Sequence, residues 1–512
     1  MRENPVDTIT ADPPGLRSMG WISSFHAARD PRHPAITLGD QTISRGELDR
    51  LSNRLARVLQ AEGVREQDIV PIIVGEGLGV HWASFALWKL GATPLPLSGK
   101  LPIRELHSIL DLVRPAVVIG PRTGDFPGWR TVSPETQSQA GSSDESLPER
   151  VAKHYKAITS GGSTGRPKII VDSHPSVFDP LEPMAALRMH LDDTILQPAA
   201  VYHNSAFAQV HLGLCWGAHV IRMERFDPLE WLQLIESHQV RWAYLVPTMM
   251  SRIWKLSKAE RNKHDLSSLQ VILHTAAPCP QWLKRAWIEW LGPDRIWEIY
   301  SATEATGATF ISGREWLDHP GSVGKPIGAM RILNEQQEMC VAGQVGEIFF
   351  RPPNGPGSTY HYLGAEPKRV GEWETLGDMG WVDADGYLYI ADRRTDLIIS
   401  GGANIYPAEI EAVLEAHPDI AASAVVARPD TDYGSRPHAI IEMRSGCPLL
   451  SATSICAVLS EGIARYKHPV SYEFTTQPLR DAAGKLRRSE LRKSVEERLA
   501  RGELFEPLND PS

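Results

Sequence analysis

The stretch from Thr159 to Lys168 has the residue types that bind a chain of phosphate groups. It reads Thr-Ser-Gly-Gly-Ser-Thr-Gly-Arg-Pro-Lys, with short apolar segments on both sides. Glycines let the backbone turn tightly and approach a ligand closely, and successive amide N–H groups in such a turn form an anion site. We therefore predict a loop between two strands that binds phosphates. Its assigned residues are Ser160, Gly161, Gly162, Ser163, Thr164, Gly165 and Lys168.

This loop differs from the common P-loop, in which Gly-Lys-Ser/Thr runs directly into a helix. Here Arg166 and Pro167 separate the last glycine from Lys168, and an apolar, β-branched segment follows. A flexible Gly/Ser surface loop is the alternative interpretation. The order of the residues and the Pro-Lys ending favour the phosphate site.

Size and composition limit the class of protein. The chain has 512 residues, 42% of them hydrophobic, and a net charge of −9, which predicts a multidomain globular protein. There is no basic block typical of nucleic-acid binding, and no apolar run has the length of a membrane span. The polar N-terminus lacks the apolar segment of a signal peptide. The five cysteines form no Cys-x-x-Cys pair, so we expect reduced thiols and a cytoplasmic location.

Short apolar strands alternate with amphipathic helices through most of the chain, which predicts an α/β fold with mostly parallel sheets flanked by helices. Ser44-Arg-Gly-Glu47 is a capping box that opens a helix. Ligands in such folds bind at the carboxyl ends of the strands. Predicted strands of this region include Ile69–Val74, Thr194–Gln197, Trp242–Val246, Gln270–His274 and Arg295–Tyr300.

The pattern changes twice towards the C-terminus. Short strands at Ala329–Leu333, Glu347–Arg351 and Gly386–Ile390, separated by turn residues, predict a small antiparallel, β-barrel-like subdomain. A compact α+β unit follows from Thr395. We therefore predict a large N-terminal domain over residues 1–394, with two parallel sheets and the small subdomain. A mobile C-terminal domain would cover residues 395–512.

Four further motifs follow the loop in order. They are Tyr300-Ser-Ala-Thr-Glu304, Leu376-Gly-Asp-Met-Gly380, the long segment from Asp392 to Ile410, and Asp481-Ala-Ala-Gly-Lys485. In this order and spacing, the five motifs resemble those of the acyl-adenylate-forming superfamily, over nearly the whole chain. Val201-Tyr-His-Asn204 and Gly401-Gly-Ala-Asn-Ile-Tyr406 are most similar to the acyl- and aryl-CoA synthetase branch.

The resemblance implies a reaction in two halves. A carboxylate attacks the α-phosphate of Mg-ATP and gives an acyl-adenylate and pyrophosphate, and a thiol then displaces AMP. Charge builds on the phosphates in the first half, so fixed positive charge and amide donors are needed there. The substrates and cofactors implied are an apolar carboxylic acid, ATP or acyl-AMP, Mg²⁺ and coenzyme A. The sequence is compatible with a homo-oligomer.

The resemblance also assigns nucleotide contacts after the loop. Glu304 would bind Mg²⁺, which prefers oxygen ligands, and Thr303 would donate to the α-phosphate. Tyr300 would stack on adenine, and Glu298 would accept from the adenine amino group. Asp378 would bind the ribose hydroxyls.

The resemblance also implies residues that contact the acid, the ribose and CoA. Lys485 would bridge the attacking carboxylate and the phosphate, and Arg393 would add a second ribose contact. The Gly401-Gly402 loop would let the pantetheine arm of CoA pass close to the backbone. His203 would line the acyl pocket and control access of the thiol. Other predicted acyl-binding residues are Ala206, Phe207, Ala276 and Ala277.

Each residue also has a structural alternative. Tyr300 could be an ordinary core aromatic at the end of a strand. Asp378 and Arg393 could form an ion pair on the surface. Glu304 suits a helix cap, and Lys485 suits a solvated surface position. The ordered set of motifs favours the functional interpretation over these alternatives.

Some residues depart from the usual motifs near the nucleotide. Ser301 and Asp392 stand where glycine is common, and Leu376 stands where threonine often precedes Gly-Asp. We therefore keep three alternatives beside the AMP-forming acyl-CoA synthetase. They are an enzyme that only transfers a pre-formed acyl-adenylate to CoA, a non-catalytic nucleotide- or acyl-binding module, and an enzyme that loads a carrier protein.

Overall fold

The computed structural model describes residues 15–75, 77–101, 103–120, 128–135, 143–160, 168–182, 187–393, 396–400, 403–430, 433–481 and 484–508. The helices are α1 Met19–Arg29, α2 Arg45–Ala61, α3 Gly79–Lys89, α4 Ile103–Val113, α5 Asn204–Cys215, α6 Pro228–His238, α7 Pro247–Trp254, α8 Lys258–Arg261, α9 Gln281–Leu291, α10 Gly313–Asp318, α11 Pro407–Glu415, α12 Ala452–Gly462 and α13 Arg488–Ala500, with a 3₁₀ turn at Arg465–Lys467.

The strands, in chain order, are β1 Arg17–Ser18, β2 Pro34–Leu38, β3 Gln41–Ser44, β4 Ile69–Val74, β5 Thr93–Ser98, β6 Val118–Ile119, β7 Thr131–Val132, β8 Ala157–Ser160, β9 Lys168–Asp172, β10 Val177–Phe178, β11 Thr194–Gln197, β12 His219–Arg222, β13 Trp242–Leu245, β14 Val271–His274, β15 Ile296–Ser301, β16 Ala308–Ser312, β17 Lys325–Ile327, β18 Ala329–Leu333, β19 Gly346–Arg351, β20 Tyr360–Leu363, β21 Lys368–Val370, β22 Trp373–Thr375, β23 Asp378–Val382, β24 Leu388–Arg393, β25 Ile398–Ser400, β26 Ala403–Ile405, β27 Ile420–Asp430, β28 Gly434–Met443, β29 Ser471–Thr475 and β30 Glu506–Pro507.

A nine-stranded sheet forms the centre of the large domain, in the order β17-β16-β15-β14-β13-β11-β12-β2-β3. The six central strands, β15, β14, β13, β11, β12 and β2, run parallel to one another. Strand β3 is antiparallel at one edge, and β16 and β17 are antiparallel at the other. Strands buried on both faces read as continuous apolar runs, and β13 and β14 are fully buried. The predicted parallel α/β architecture is confirmed.

A second parallel sheet has the order β5-β4-β6-β7. Helix α3 contacts both β4 and β5, and α4 contacts β4. Helix α2 packs on α3, and its predicted capping box is present because Ser44 and Glu47 bond to each other's backbone N–H.

Beside the two-stranded antiparallel pair of β1 and β10, two larger antiparallel sheets complete the described part of this domain. One has six strands in the order β21-β22-β19-β23-β24, with β18 paired to β19. The other has the order β20-β9-β8 and lies where the Gly/Ser loop begins and ends. The strand predicted at Gly386–Ile390 is displaced to β24, because Asp383 accepts bonds from the amides of Asp385 and Tyr387 and extends the turn.

The last part of the chain folds around its own sheet, in the order β26-β25-β28-β29-β30 with β27 on β28. Buried residues of its core include Ile398, Ile410, Ile441 and Leu459. This smaller α+β domain was predicted, although residues 394 and 395, at its predicted boundary, lie outside the described residues. Among the described residues, no helix is long and apolar enough to cross a membrane.

Candidate active site

The segments that follow β11, β13, β14 and β15 meet at one edge of the main sheet, because parallel strands end on the same side. These four strands run parallel to one another. His203 follows β11, Thr248 follows β13, Ala276 follows β14 and Glu304 follows β15. Three residues predicted for the site, His203, Ala276 and Glu304, therefore lie on one side of the sheet together with Thr248.

Tyr300 and Asp378 come together from different sheets. The Tyr300 hydroxyl donates to the Asp378 carboxylate at 2.6 Å, and Asp378 is buried at the start of β23. Both residues line a small cleft with Ser301, Gly307 and others, in which about 10 Å³ is open to a water-sized molecule. The cleft as it stands has room for about one water molecule, and its lining combines an aromatic ring with polar groups from two sheets.

The cleft contains residues that sequence reasoning missed. Gly307 approaches the Phe350 ring so closely that a Cβ on Gly307 would lie 2.1 Å from it. Glu374 also lines the cleft and is 1% exposed. The Ser301 hydroxyl, which stands where glycine is common, donates to the Gly307 carbonyl at 3.2 Å. The extra hydroxyl of Ser301 is thus bonded to the neighbouring turn.

Glu304 lies buried beside the start of β9. Its Oε1 accepts from the Tyr362 hydroxyl at 2.7 Å and from Lys168 Nζ at 3.4 Å. The Thr359 hydroxyl donates to the Glu304 carbonyl at 2.9 Å. Burial and the Glu304 carboxylate raise the pKa of Tyr362 far above its usual value. Thr303 is half-buried in the same turn. The structure thus joins Lys168 of the loop to Glu304.

The two ends of the Gly/Ser loop are held together, since Ser160 and Lys168 are register partners in the antiparallel pair of β8 and β9. The two strands predicted to flank the loop are confirmed as β8 and β9. Gly161 to Gly165 lie outside the described residues, as do Gly401 and Gly402. Arg393 is the register partner of Asp378 in the pair of β23 and β24, which brings the two predicted ribose contacts to adjacent backbone positions.

Glu298 lies in a buried ion pair that the sequence did not reveal. Its Oε2 accepts from Lys284, a fully buried residue of α9. His274 lies 3.8 Å away, and burial lowers the pKa of this histidine to about 4. Lys284 is therefore a structural partner of the residue predicted to contact adenine.

His203 caps α5 without a side-chain hydrogen bond to the helix. Its Nε2 and the Oδ1 of Asn204 are shielded from solvent and have no hydrogen-bond partner in the described part of the chain. Burial lowers the pKa of His203 to about 4, while nearby Asp481 raises it and Lys485 lowers it. A neutral imidazole therefore faces the loop that carries Lys485.

The other predicted acyl-binding residues lie in two environments. Ala206 and Phe207 are fully buried, and the Phe207 ring packs on His211 with centroids 4.1 Å apart. Ala276 is exposed at a φ of 77°, and Ala277 is half-buried. A non-glycine residue at such a φ is uncommon and is often found at a functional site. Ala276 is therefore open to solvent, whereas Phe207 belongs to the buried core.

Lys485 lies on a hairpin of the small domain that contacts the large one. Asp481 accepts from the Lys485 amide at 3.0 Å. Gly484 has a φ of 76°, and a Cβ on it would lie 2.9 Å from the Thr248 hydroxyl. Lys255 Nζ, 3.5 Å from the Ala421 carbonyl, is a second contact between the domains. The hairpin thus meets the large domain at the edge where His203 lies.

Comparisons with known proteins match both domains of the chain. Residues 24–361 match the family described as AMP-binding enzyme, and residues 409–485 match the AMP-binding enzyme C-terminal domain. A feruloyl-CoA synthase from Amycolatopsis is 30% identical over 91% of this chain and 97% of its own. A fatty acid–[acyl-carrier-protein] ligase from Streptomyces coeruleorubidus is 28% identical over 94% and 96%.

Solved structures of o-succinylbenzoate CoA synthetase from Bacillus subtilis are similar over most of the chain. The complex with its acyl-adenylate has a TM-score of 0.80 at 25% identity and covers 93% of this chain and 98% of its own. The complex with ATP and magnesium has a TM-score of 0.79 at 25% identity, with coverages of 93% and 99%. The resemblance predicted from the motifs is therefore confirmed, and the chain belongs to the AMP-binding enzyme family.

Proposed function

We propose that this protein is an AMP-forming acyl-CoA synthetase that converts an apolar carboxylic acid to its CoA thioester through an acyl-adenylate. The observation that carries the proposal is the contact of the Lys485 hairpin with the side of the main sheet where His203 lies. The hydrogen bond that joins Tyr300 to Asp378 from different sheets supports it. The relatives and solved structures named above, several of them CoA ligases, support the same reaction.

In the first half-reaction, a carboxylate oxygen attacks the α-phosphorus of ATP and pyrophosphate leaves. Lys168 and the loop would bind the outgoing phosphates, and Thr303 would donate to the α-phosphate. Lys485 would hold the incoming carboxylate and the phosphate together while charge builds between them. Tyr300 and Glu298 would contact adenine.

Glu304 fits the role of a magnesium ligand. Mg²⁺ in ATP sites is held by one or two carboxylates and by substrate phosphates. Glu304 is buried, one of its oxygens is held by Tyr362 and Lys168, and no hydrogen bond from the described residues reaches Oε2. Bound Mg²⁺ would neutralise charge on the phosphates. Asp378 and Arg393 would bind the ribose.

In the second half-reaction, the thiol sulfur of CoA attacks the acyl carbon, AMP leaves, and the thiol proton passes to solvent. The small domain, residues 395–512, would rotate between the halves and replace Lys485 by the Gly401-Gly402 loop. His203, with Ala206, Phe207, Ala276 and Ala277, would border the acyl chain. A cytoplasmic location belongs to the same proposal, and the free cysteines of the described chain support it.

The test is to assay the two half-reactions separately over aliphatic, aryl and polycyclic acids. We expect AMP and acyl-CoA from an acid, Mg-ATP and CoA. Failure to release AMP with every acid, together with rapid reaction of pre-formed acyl-adenylate with CoA, would establish transfer only, to which the Ser301 and Asp392 substitutions point. Transfer of the acyl group to a carrier protein and not to CoA would instead show that the protein loads a carrier protein.

A further inference from the structure

Strand β20 places a tyrosine beside the phosphate-binding lysine. Strand β20 pairs antiparallel with β9, and Tyr362 is the register partner of Ile170. Lys168 lies two residues before Ile170 on the same face, so it is a diagonal neighbour of Tyr362. The Lys168 Nζ lies 4.1 Å from the centroid of the Tyr362 ring, within the range of a cation–π contact.

The same tyrosine holds the carboxylate assigned to the metal. Its hydroxyl donates to Glu304 Oε1 at 2.7 Å, whereas Lys168 Nζ approaches this oxygen only to 3.4 Å. The hydroxyl of Thr359, three residues earlier, holds the Glu304 carbonyl at 2.9 Å. Strand β20 and the residue before it therefore fix both the backbone and the side chain of Glu304.

A neutral hydroxyl and a lysine have opposite effects on a metal-binding carboxylate. The hydroxyl donates one hydrogen bond and leaves the negative charge of the carboxylate available to a cation. A close ion pair would instead neutralise both groups and turn Lys168 away from the phosphates. Lys168 and Glu304 form a loose ion pair with an Nζ–Oε1 distance of 3.4 Å. Because the Tyr362 hydroxyl already occupies Oε1 and its ring lies against the ammonium group, Tyr362 keeps this pair from closing further.

We propose that Tyr362 is a positioning residue for adenylation that keeps Glu304 available to the metal and Lys168 available to the phosphates. This inference rests on the proposed function, because both partners are assigned to the Mg-ATP site. Without the hydroxyl, Lys168 would move onto Glu304 Oε1 and both groups would be lost to the ligand. Outer partners of metal ligands change metal affinity or activity by 10- to 100-fold when they are removed.

The test compares Tyr362→Phe with Tyr472→Phe. Tyr472 makes the same kind of bond, its hydroxyl donating to Glu506 at 2.6 Å in the small domain. Binding of Mn²⁺ to the enzyme in the presence of ATP is titrated by electron paramagnetic resonance. AMP formation is measured against Mg²⁺ concentration, and thioester formation is measured from pre-formed acyl-adenylate.

We expect Tyr362→Phe to weaken Mn²⁺ binding and to slow adenylation by about 10-fold or more, with thioester formation within about 2-fold of the unchanged protein. Tyr472→Phe should leave all three unchanged. Equal Mn²⁺ binding by the unchanged protein and the Tyr362→Phe variant would overturn the inference. It would also be overturned if the variant lost both half-reactions equally and had a lower melting temperature. The proposed function is tested separately, and it fails if the unchanged protein releases no AMP with any acid. In that case the Mn²⁺ titration still decides whether Tyr362 positions the metal-binding carboxylate.

Discussion

Charged side chains in this protein have different roles according to how much water reaches them. Lys284 is fully buried with Glu298, whereas Lys485 is exposed on a hairpin that contacts the other domain. A buried charge must stay paired because it has lost its hydration. An exposed charge keeps much of its hydration and does not depend on a single buried partner.

Lys485→Ala should lower the rate of adenylation by about 100- to 1,000-fold, the usual effect of removing a group that stabilises charge in a transition state. Thioester formation from pre-formed adenylate should be largely unchanged. The two rates are measured separately by quenched-flow assays. Lys493→Ala, which removes an exposed lysine of α13 paired with Glu497, is the control. Equal loss of both half-reactions would show that Lys485 is not specific to adenylation.

Lys284→Met should destabilise the large domain by about 3–5 kcal/mol, because it leaves the buried Glu298 carboxylate without its partner. The double variant Lys284→Met, Glu298→Leu should recover part of this loss. Melting temperature and denaturant unfolding report the change. Arg314→Ala breaks an exposed pair with Asp294 and should change stability little. A similar small change for Lys284→Met would contradict the buried-pair interpretation.

At the scale of elements, the pattern of hydrophobic residues, with the capping and turn residues that end helices and strands, predicted most of the fold. Thr194–Gln197 was predicted as observed, and the parallel sheet followed from the alternation of strands and helices. The strand predicted to Val246 ends at Leu245, because Pro247 begins α7 and Val246 is its N-cap. A proline at the first helical position favours this boundary.

The candidate site was less predictable than the fold. Motif order predicted Tyr300, Glu304 and Asp378, but nothing in the motifs indicated Tyr362 or Lys284. Tyr362 reaches the site because β20 pairs with β9, and Lys284 reaches it because α9 packs against β15. A local sequence pattern does not predict such long-range pairings. The residues that hold a site are therefore harder to predict than the residues that form it.

Ser44→Ala should reduce the stability of the large domain by about 0.5–2 kcal/mol, because it removes the hydroxyl that accepts from the Glu47 amide at the start of α2. Calorimetry measures the change. Ser108→Ala, in which the lost hydroxyl bonds to the Arg104 carbonyl within α4, is the control and should have a smaller effect. An equal effect at both sites would argue against capping as the cause.

At the scale of the whole molecule, the contacts between the two domains include the approach of Gly484 to Thr248 and that of Lys255 Nζ to the Ala421 carbonyl at 3.5 Å. Adenylation should therefore depend on how closely this glycine approaches the large domain.

Gly484→Ala should slow adenylation by about 10-fold or more, since alanine is strained at a φ of 76° and its Cβ would lie 2.9 Å from the Thr248 hydroxyl. Thioester formation should be less affected. Gly446→Ala has the same kind of backbone conformation with no atom within 4 Å of the added Cβ, so it separates backbone strain from the contact. Matching rates in the two variants would show that the contact with Thr248 is unimportant.

One ion pair limits where the chain can pivot. Arg488 of α13 bonds to Asp396 at 2.8 Å and also to the buried Glu411 of α11. Asp396 is thereby fastened to the small domain and should travel with it as a rigid part. In the rotation proposed above, the backbone would therefore turn before Asp396 and not within the small domain.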